Sequence, residues 1–236
     1  MRLITYNAGN ASDQRLRTDI GLLVARDAVA IGLQEVGDRR HVIHGVPGYR
    51  TIQRPGAVHG HVALLIREDA HVHRSTLHQI GRRTYVGHNV AGARHDGWTA
   101  AKYILAAHIT VEGERVTVAT MHLVPSAAHS KAAAALLSEQ AANAALWLEQ
   151  QQHPTDLMGD CNASAHFTRL APLRHAATPL SKPSHGRRAI DIHWITGQGV
   201  GTARALDGYS SDHRPVEAVI AWDVKHRHHH RPRRAQ

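Results

Sequence analysis

Gly159-Asp160-Cys161-Asn162 sets a carboxylate and a carboxamide two residues apart at the end of the apolar run Leu157-Met158. On a strand, residues i and i+2 point to the same side. Asp160 and Asn162 would then face one site together, with Cys161 turned to the core as an inert thiol. A carboxylate that takes a proton from water, beside an amide that donates to a phosphate oxygen, is half of a site for hydrolysing a phosphoester. The competing reading is a strand end entering an Asx turn, because Gly, Asp and Asn all favour turns.

Other apolar runs close on polar residues in the same way. Asn7 ends Leu3-Ile4-Thr5-Tyr6-Asn7, and Glu35 follows the buried-type run from Val29 to Gln34. A carboxylate closing such a run is costly unless it is solvated or bound, and carboxylate oxygens are what a hard divalent cation takes. His122 follows the strand-like run Arg115 to Thr120. Asp191 lies inside an alternating strand, where propensity disfavours it, so it needs a partner such as a histidine that it charges or orients. Asp212 and His213 stand together at the entry to the last strand, Val216 to Trp222. Each of these residues alone is equally well a solvated strand end.

The elements that must position them follow from spacing. Ser12 or Asp13 caps a helix whose apolar stripe is Leu16, Ile20, Leu23 and Val24, with Arg15, Arg17 and Asp19 on the other face. Val62 to Ile66 is a core strand. Residues 71 to 97 form a looser region of strands and loop along one edge. Trp98 within reach of it is either a base-stacking side chain or, the favoured reading, a buried anchor. Ala101 to Thr110 pairs with Arg115 to Thr120 around Glu112-Gly113-Glu114. Ser126 caps a long Ala-rich helix over Ala127 to Gln152, with Leu136, Leu137, Gln140, Ala144, Trp147 and Leu148 facing inward. Gly197-Gln198-Gly199-Val200-Gly201 fits no phosphate-loop spacing and reads as a hairpin. Strand, helix, strand in succession predicts parallel or mixed sheets covered by helices.

Together these stretches resemble the endonuclease/exonuclease/phosphatase superfamily, the deoxyribonuclease I-like fold. The resemblance rests on Thr5-Tyr6-Asn7, Leu33-Gln34-Glu35-Val36, Met121-His122-Leu123, Met158-Gly159-Asp160-Cys161-Asn162, Ile190-Asp191 and Ser211-Asp212-His213-Arg214-Pro215-Val216, which span nearly the whole chain. It implies an α/β (α+β) fold: a four-layer α/β sandwich, two mixed β-sheets packed face to face with helices outside. It also implies a divalent cation, Mg²⁺ or Mn²⁺, held by Glu35 with Asn7 beside it and Asp212 near a second metal position. By the same resemblance Asp160 orients or deprotonates the attacking water, Asn162 and His122 hold phosphate oxygens, and His213, held by Asp191, offsets the charge that builds on phosphorus. The chain departs from the family in two places. No Asp or Glu between Arg39 and Arg67 is available to orient His122, and the basic residue before the middle strand is either Lys102 or Arg94. His122-Leu123-Val124-Pro125 also lacks the stretch of the abasic-site repair branch.

Composition narrows the class. Of 28 Lys and Arg, five lie in Lys225 to Gln236 with no acid, so the rest carries 23 against 19 acidic residues, a net +4 of the total +9. The expected organisation is one domain over 1–224 and a basic, His-rich disordered tail over 225–236. A mildly basic body accommodates a polyanion without demanding one. One Cys excludes an intrachain disulfide and fits the cytoplasm. No run of about 18 apolar residues predicts a membrane span, and no obligate protein partner is evident. The favoured function is a metal-dependent phosphodiesterase, a nuclease with nucleic acid as substrate. The alternative is a phosphoesterase for a small or lipid-linked phosphate. A catalytically silent nucleic-acid-binding module is disfavoured, because every expected catalytic position is filled.

Overall fold

The computed structural model describes residues 1–9, 11–54, 61–87, 97–125, 130–164, 168–178, 180, 182–197 and 199–222. Ser126, Arg94 and the tail over 225–236 lie outside them, as does Gln198 of the Gly-rich stretch. Thirteen strands follow in order among the described residues: β1 (Arg2–Asn7), β2 (Ala30–Gln34), β3 (Tyr49–Ile52), β4 (Val62–Arg67), β5 (His71–Gly81), β6 (Thr84–Tyr85), β7 (Trp98–Thr99), β8 (Lys102–Val111), β9 (Glu114–His122), β10 (Thr155–Asp160), β11 (Asp191–Ile195), β12 (Gly199–Ala205) and β13 (Val216–Trp222). The helices are α1 (Asp13–Val24), a single turn α2 (Arg40–Ile43) and α3 (Lys131–Glu149), with a 3-10 segment over Thr168–Ala176.

Two mixed sheets form. One runs β12-β13-β1-β2-β4-β3, the other β11-β10-β9-β8-β5. β1 is parallel to β2 and β9 to β10, and the remaining pairs in both sheets are antiparallel. Three apolar layers hold the stack together. Leu3, Leu64, Ile66, Leu105, Val118 and Met158 fill the space between the sheets. Ile4, Tyr6, Leu16, Ile20 and Leu23 join α1 to the first sheet, and Ile104, Leu136, Leu137, Trp147, Leu157 and Trp194 join α3 to the second. This is the four-layer sandwich expected from the resemblance. Among the described residues no helix is long and apolar enough to cross a membrane.

Period-2 alternation decides which side chains reach the site. On β1, Ile4 and Tyr6 face α1, and Leu3, Thr5 and Asn7 face the other sheet. On β10, Leu157 faces α3, and Met158 and Asp160 face inward. Gly159 lies between them because nothing larger fits: a Cβ there would stand 1.9 Å from the Met121 carbonyl oxygen of β9. The β8–β9 hairpin turns through Glu112 (φ 52) and Gly113 (φ 83), two left-handed residues that match the twist of the strands.

Three expectations are corrected. The Ala-rich helix begins at Lys131, not Ala127, and its cap is Ser130, whose hydroxyl accepts from the Ala133 amide. Trp98 is not a buried anchor: it is 38% exposed on β7, edge-on to Tyr85 with Arg83 over its ring. Asp19 does not take the solvent face of α1 but is 1% exposed. It lies three residues after Leu16 and four before Leu23, so helical phase turns it inward, and its polar partners offset the cost.

Candidate active site

The polar strand ends meet at one edge of the sandwich, where β1, β2, β9 and β10 finish and β11 and β13 begin. Asn7 and Asp160 come from different sheets, and the Asn7 amide bridges them. Its Nδ2 donates to Asp160 Oδ2 at 2.8 Å and to Glu35 Oε1 at 3.2 Å. Glu35 adopts a left-handed backbone (φ 55) just past β2, which turns its exposed carboxylate back toward Asn7. Behind them Gln34 ties the sheets together, donating to Thr5 on β1 and to Thr120 on β9.

Asn7, Glu35 and Asp212 surround a common point beside Gly9. A Cβ on Gly9 would stand 3.4 Å from Asn7 Oδ1, 3.4 Å from Glu35 Oε2 and 3.6 Å from Asp212 Oδ1. Two carboxylate oxygens and an amide oxygen around a gap that only glycine leaves open suit a hard divalent cation. These are the three residues the sequence offered as metal ligands. Glu35, His122 and Asp160 form a second group whose ligand atoms lie within 4.8 Å of one another, and His185, Asp212 and His213 form another.

Asp160 closes the Asx turn and still presents one oxygen to the site. Its Oδ1 accepts the Asn162 amide N–H at 2.7 Å, closing an Asx turn in which Asn162 is left-handed (φ 53). Its Oδ2 remains toward the site, 3.8 Å from His213 Nε2 and 3.6 Å from His122 Nε2. Burial and then the Asp191 charge push the Asp160 carboxyl up to about 7, against the pull of His213, the Asn162 N–H and the Asn7 amide. A carboxylate with that affinity for a proton is a competent base near neutral pH.

His213 Nδ1 lies 2.9 Å from Asp191 Oδ2, in a pair that is buried on both sides. Burial alone would lower the imidazole. The Asp191 hydrogen bond and charge, then Asp160 and Asp212, reverse this and hold it at about 9, so the ring is a cation at neutral pH. Asp191 is fixed by its own loop, because the Ser184 hydroxyl accepts both the Ile190 and Asp191 amides.

His122 is the opposite case. Burial, Lys102, His61 and His213 depress it well below its ordinary value, so it is neutral. Asn162 Nδ2 donates to the Leu123 carbonyl at 3.0 Å and to His122 Nε2 at 3.1 Å. A carbonyl only accepts, so the orientation of the amide is settled and His122 Nε2 carries no proton. Both Asn162 N–H groups are thus occupied here, on the Leu123 carbonyl and on His122. His122 Nδ1 is buried with no hydrogen-bond partner among the described residues, in keeping with the lack of a carboxylate between residues 39 and 67. Of the two candidates for the basic residue, Lys102 lies close to Glu35 and Asp160, and Arg94 lies outside the described residues. Burial lowers the Lys102 ammonium to about 8 while Glu35 and Asp160 pull it back up.

Sequence reasoning missed four contributors. His185 packs its ring on His213 at 4.4 Å between centroids and reaches Asp212 Oδ2 at 3.3 Å. Its stretch, Pro183-Ser184-His185-Gly186, carries no periodicity that could have marked it, and the same holds for Ser184. His61 lies close enough to depress His122. Asp19 accepts from the Ser210 amide (3.1 Å), the Ser210 hydroxyl (3.1 Å) and the Tyr6 hydroxyl (2.5 Å), which anchors the segment leading to Asp212-His213. Asp19→Ala removes the acceptor for one buried and two partly buried donors. It should cost roughly 2–4 kcal/mol of stability, seen as a lower urea midpoint at unchanged slope; a shift below about 0.5 kcal/mol would show the anchor to be dispensable.

No family model matches the chain, and no curated protein matches it. Solved structures do. An endonuclease/exonuclease/phosphatase protein from Bacteroides vulgatus superposes with a TM-score of 0.73 at 14% identity, over 94% of this chain and 98% of that one. The mannosyl-6-phosphatase of Bacteroides thetaiotaomicron gives 0.71 at 16% identity, over 94% and 100%. D. rerio TDP2, complexed with a single-strand DNA product, gives 0.69 at 12% identity, over 94% and 98%. The chain therefore has the fold of the endonuclease/exonuclease/phosphatase proteins, as the sequence motifs implied.

Proposed function

We propose that this chain is a divalent-metal-dependent phosphodiester hydrolase, a nuclease acting on DNA or RNA through attack of an activated water. The observation that carries the reading is the opposed pair at the site: a basic carboxylate, Asp160, 3.8 Å from a cationic imidazole, His213, beside the three-oxygen cradle at Gly9. Asn7, Glu35 and Asp212 would hold Mg²⁺ or Mn²⁺, which supplies positive charge to phosphate oxygens. Asp160 takes the proton from water as its oxygen bonds to phosphorus and the opposite P–O bond breaks. His213, fixed through Nδ1 by Asp191, presents Nε2–H to the non-bridging oxygen on which charge accumulates. His122 and Lys102 line the same wall. The working domain is 1–224, the basic tail over 225–236 adds affinity for a polyanion, and the cytoplasm suits the single buried thiol.

The test is hydrolysis of plasmid DNA, single-stranded RNA and bis-p-nitrophenyl phosphate with Mg²⁺, Mn²⁺ or EDTA. Metal-dependent cleavage of a polynucleotide is expected. Turnover of the small diester alone would move the substrate to a small or lipid-linked phosphate, a reading that the likeness to a mannosyl-6-phosphatase supports. No turnover of any of the three would overturn the nuclease reading.

A further inference from the structure

A cavity of about 610 Å³ lies at the opposite end of the second sheet, past the C-terminus of α3. Its lining includes His73, Arg74 and His78 of β5, His108 of β8, Arg115 of β9 and His153 ahead of β10. No Asp or Glu is among the described residues that line it, and α3 contributes uncharged Trp147 with Gln150 and Gln151 just beyond it. The candidate active site uses the other ends of the same strands. Seven residues separate His153 from Asp160, roughly 20 Å along β10 at strand rise.

The backbone is shaped to put these cations on one face. β5 pairs Val72 with Ile109, then Arg74 with His108, so one residue is bulged out at His73. Val72 and Ile109 face the core between the sheets. The bulge resets the alternation, and Arg74, Thr76 and His78 turn to the outer face beside His108. His108 Nδ1 is held at 3.0 Å by the Thr117 hydroxyl, and His73 Nε2 at 2.7 Å by the Thr110 hydroxyl. The groups feel one another: burial, then Arg74, His153 and His73, lower His108 below its usual value.

We propose that this cavity binds a multivalent phosphate anion, a chain of phosphates either free or carried by a nucleotide, at a site separate from the hydrolytic one. Converging Arg and His donors with no carboxylate among them are complementary to such an anion, and the volume is that of a small-ligand site. An anion between the imidazoles raises their proton affinity, so binding takes up protons and tightens as pH falls from 8 to 6. The proposal stands apart from the hydrolase reading, since neither Asp160 nor the metal cradle takes part in it.

The experiment is calorimetric titration of the full-length protein, in EDTA, with tripolyphosphate, ATP and AMP at pH 6 and pH 8. A saturable site for tripolyphosphate or ATP, tighter at pH 6, is expected. Arg74→Ala/Arg115→Ala, two exposed positions, should weaken it at least about tenfold, and His108→Gln should flatten its pH dependence. Equal binding of tripolyphosphate and ATP assigns recognition to the phosphate chain; binding of ATP alone assigns a nucleotide. Unchanged affinity in the double variant would overturn the proposal. So would loss of binding on replacing only the arginines of residues 225–236 by Gln, or no saturable binding at all.

Discussion

Asp160→Asn should lower phosphodiester hydrolysis by about 10³-fold or more, the contribution of a positioned general base, while the protein remains folded. The side chain keeps its shape, and its amide oxygen can still accept the Asn162 N–H that closes the Asx turn. What disappears is the proton acceptor. The neighbouring charges sharpen the expectation. In the native site burial and Asp191 hold the Asp160 carboxyl at about 7, far above an ordinary carboxylate. Its ionised form is thus costly to the fold, and the sign follows. An acid whose folded affinity for a proton is raised loses stability as pH climbs from its unfolded value toward 7. The variant has no such group, so its melting temperature should fall less than that of the native chain between pH 5 and pH 8. Against this, the Asn7 Nδ2 that donated to Asp160 Oδ2 would meet another N–H donor if the new amide nitrogen occupies that position. Measured kcat/KM and melting curves for both proteins separate the two effects. Hydrolysis within tenfold of native, with the fold intact, would remove Asp160 from the chemistry.

The contrast between Asp160 and Asn162 shows what was legible in the sequence. Residue spacing along strands is periodic, so the inward row of β1 and β10 could be read directly; that Asn7 and Asp160 share one site was implied only by the family resemblance. The i, i+2 rule did not extend to Asn162. The strand stops at Asp160, and a left-handed residue follows, which strand geometry does not describe. Asn7, Glu35 and Asp212 each close or enter a strand, and sheet topology gathers strand ends, which is how the three come to share one point beside Gly9. His185 and Ser184 were not legible, because they come from an irregular loop that turns tightly onto Arg188 and whose position depends on the long-range pairing of His185 with His213. Asp19 was misplaced by weighing charge above helical phase. Phase was the stronger signal, since three hydrogen-bonding partners sit where the helix aims the side chain. His61 could not be singled out among 22 histidines. Only the fold sets it beside His122.

Asp156→Ala should be strongly destabilising. Asp156 and His193 face the space between the sheets and are both fully buried. Asp156 Oδ2 lies 2.8 Å from His193 Nδ1, and the Val216 carbonyl of the opposite sheet lies 3.1 Å from Nε2. A carbonyl and a carboxylate both accept, so both ring nitrogens must carry protons and His193 is an imidazolium. Burial opposes that charge, and Asp156 with the Val216 carbonyl outweighs burial, raising the histidine above its usual value. Removing Asp156 leaves a buried cation unpaired, at a cost of roughly 3–5 kcal/mol. At about 2–4 °C per kcal/mol for a chain of this size, the melting temperature should drop by about 6–20 °C. Asp156→Leu/His193→Leu, which removes both charges together, should recover most of the loss, because two apolar side chains need no partner. The pH dependence carries a definite sign. The folded histidine binds its proton more tightly than the unfolded one, so its stabilisation is complete below about pH 6.5. It is lost as pH rises through the higher folded value. Native protein should therefore lose melting temperature above neutral pH more steeply than the double variant. Parallel curves for the two, or a single variant as stable as the native chain, would show that the pair does not hold the sheets together.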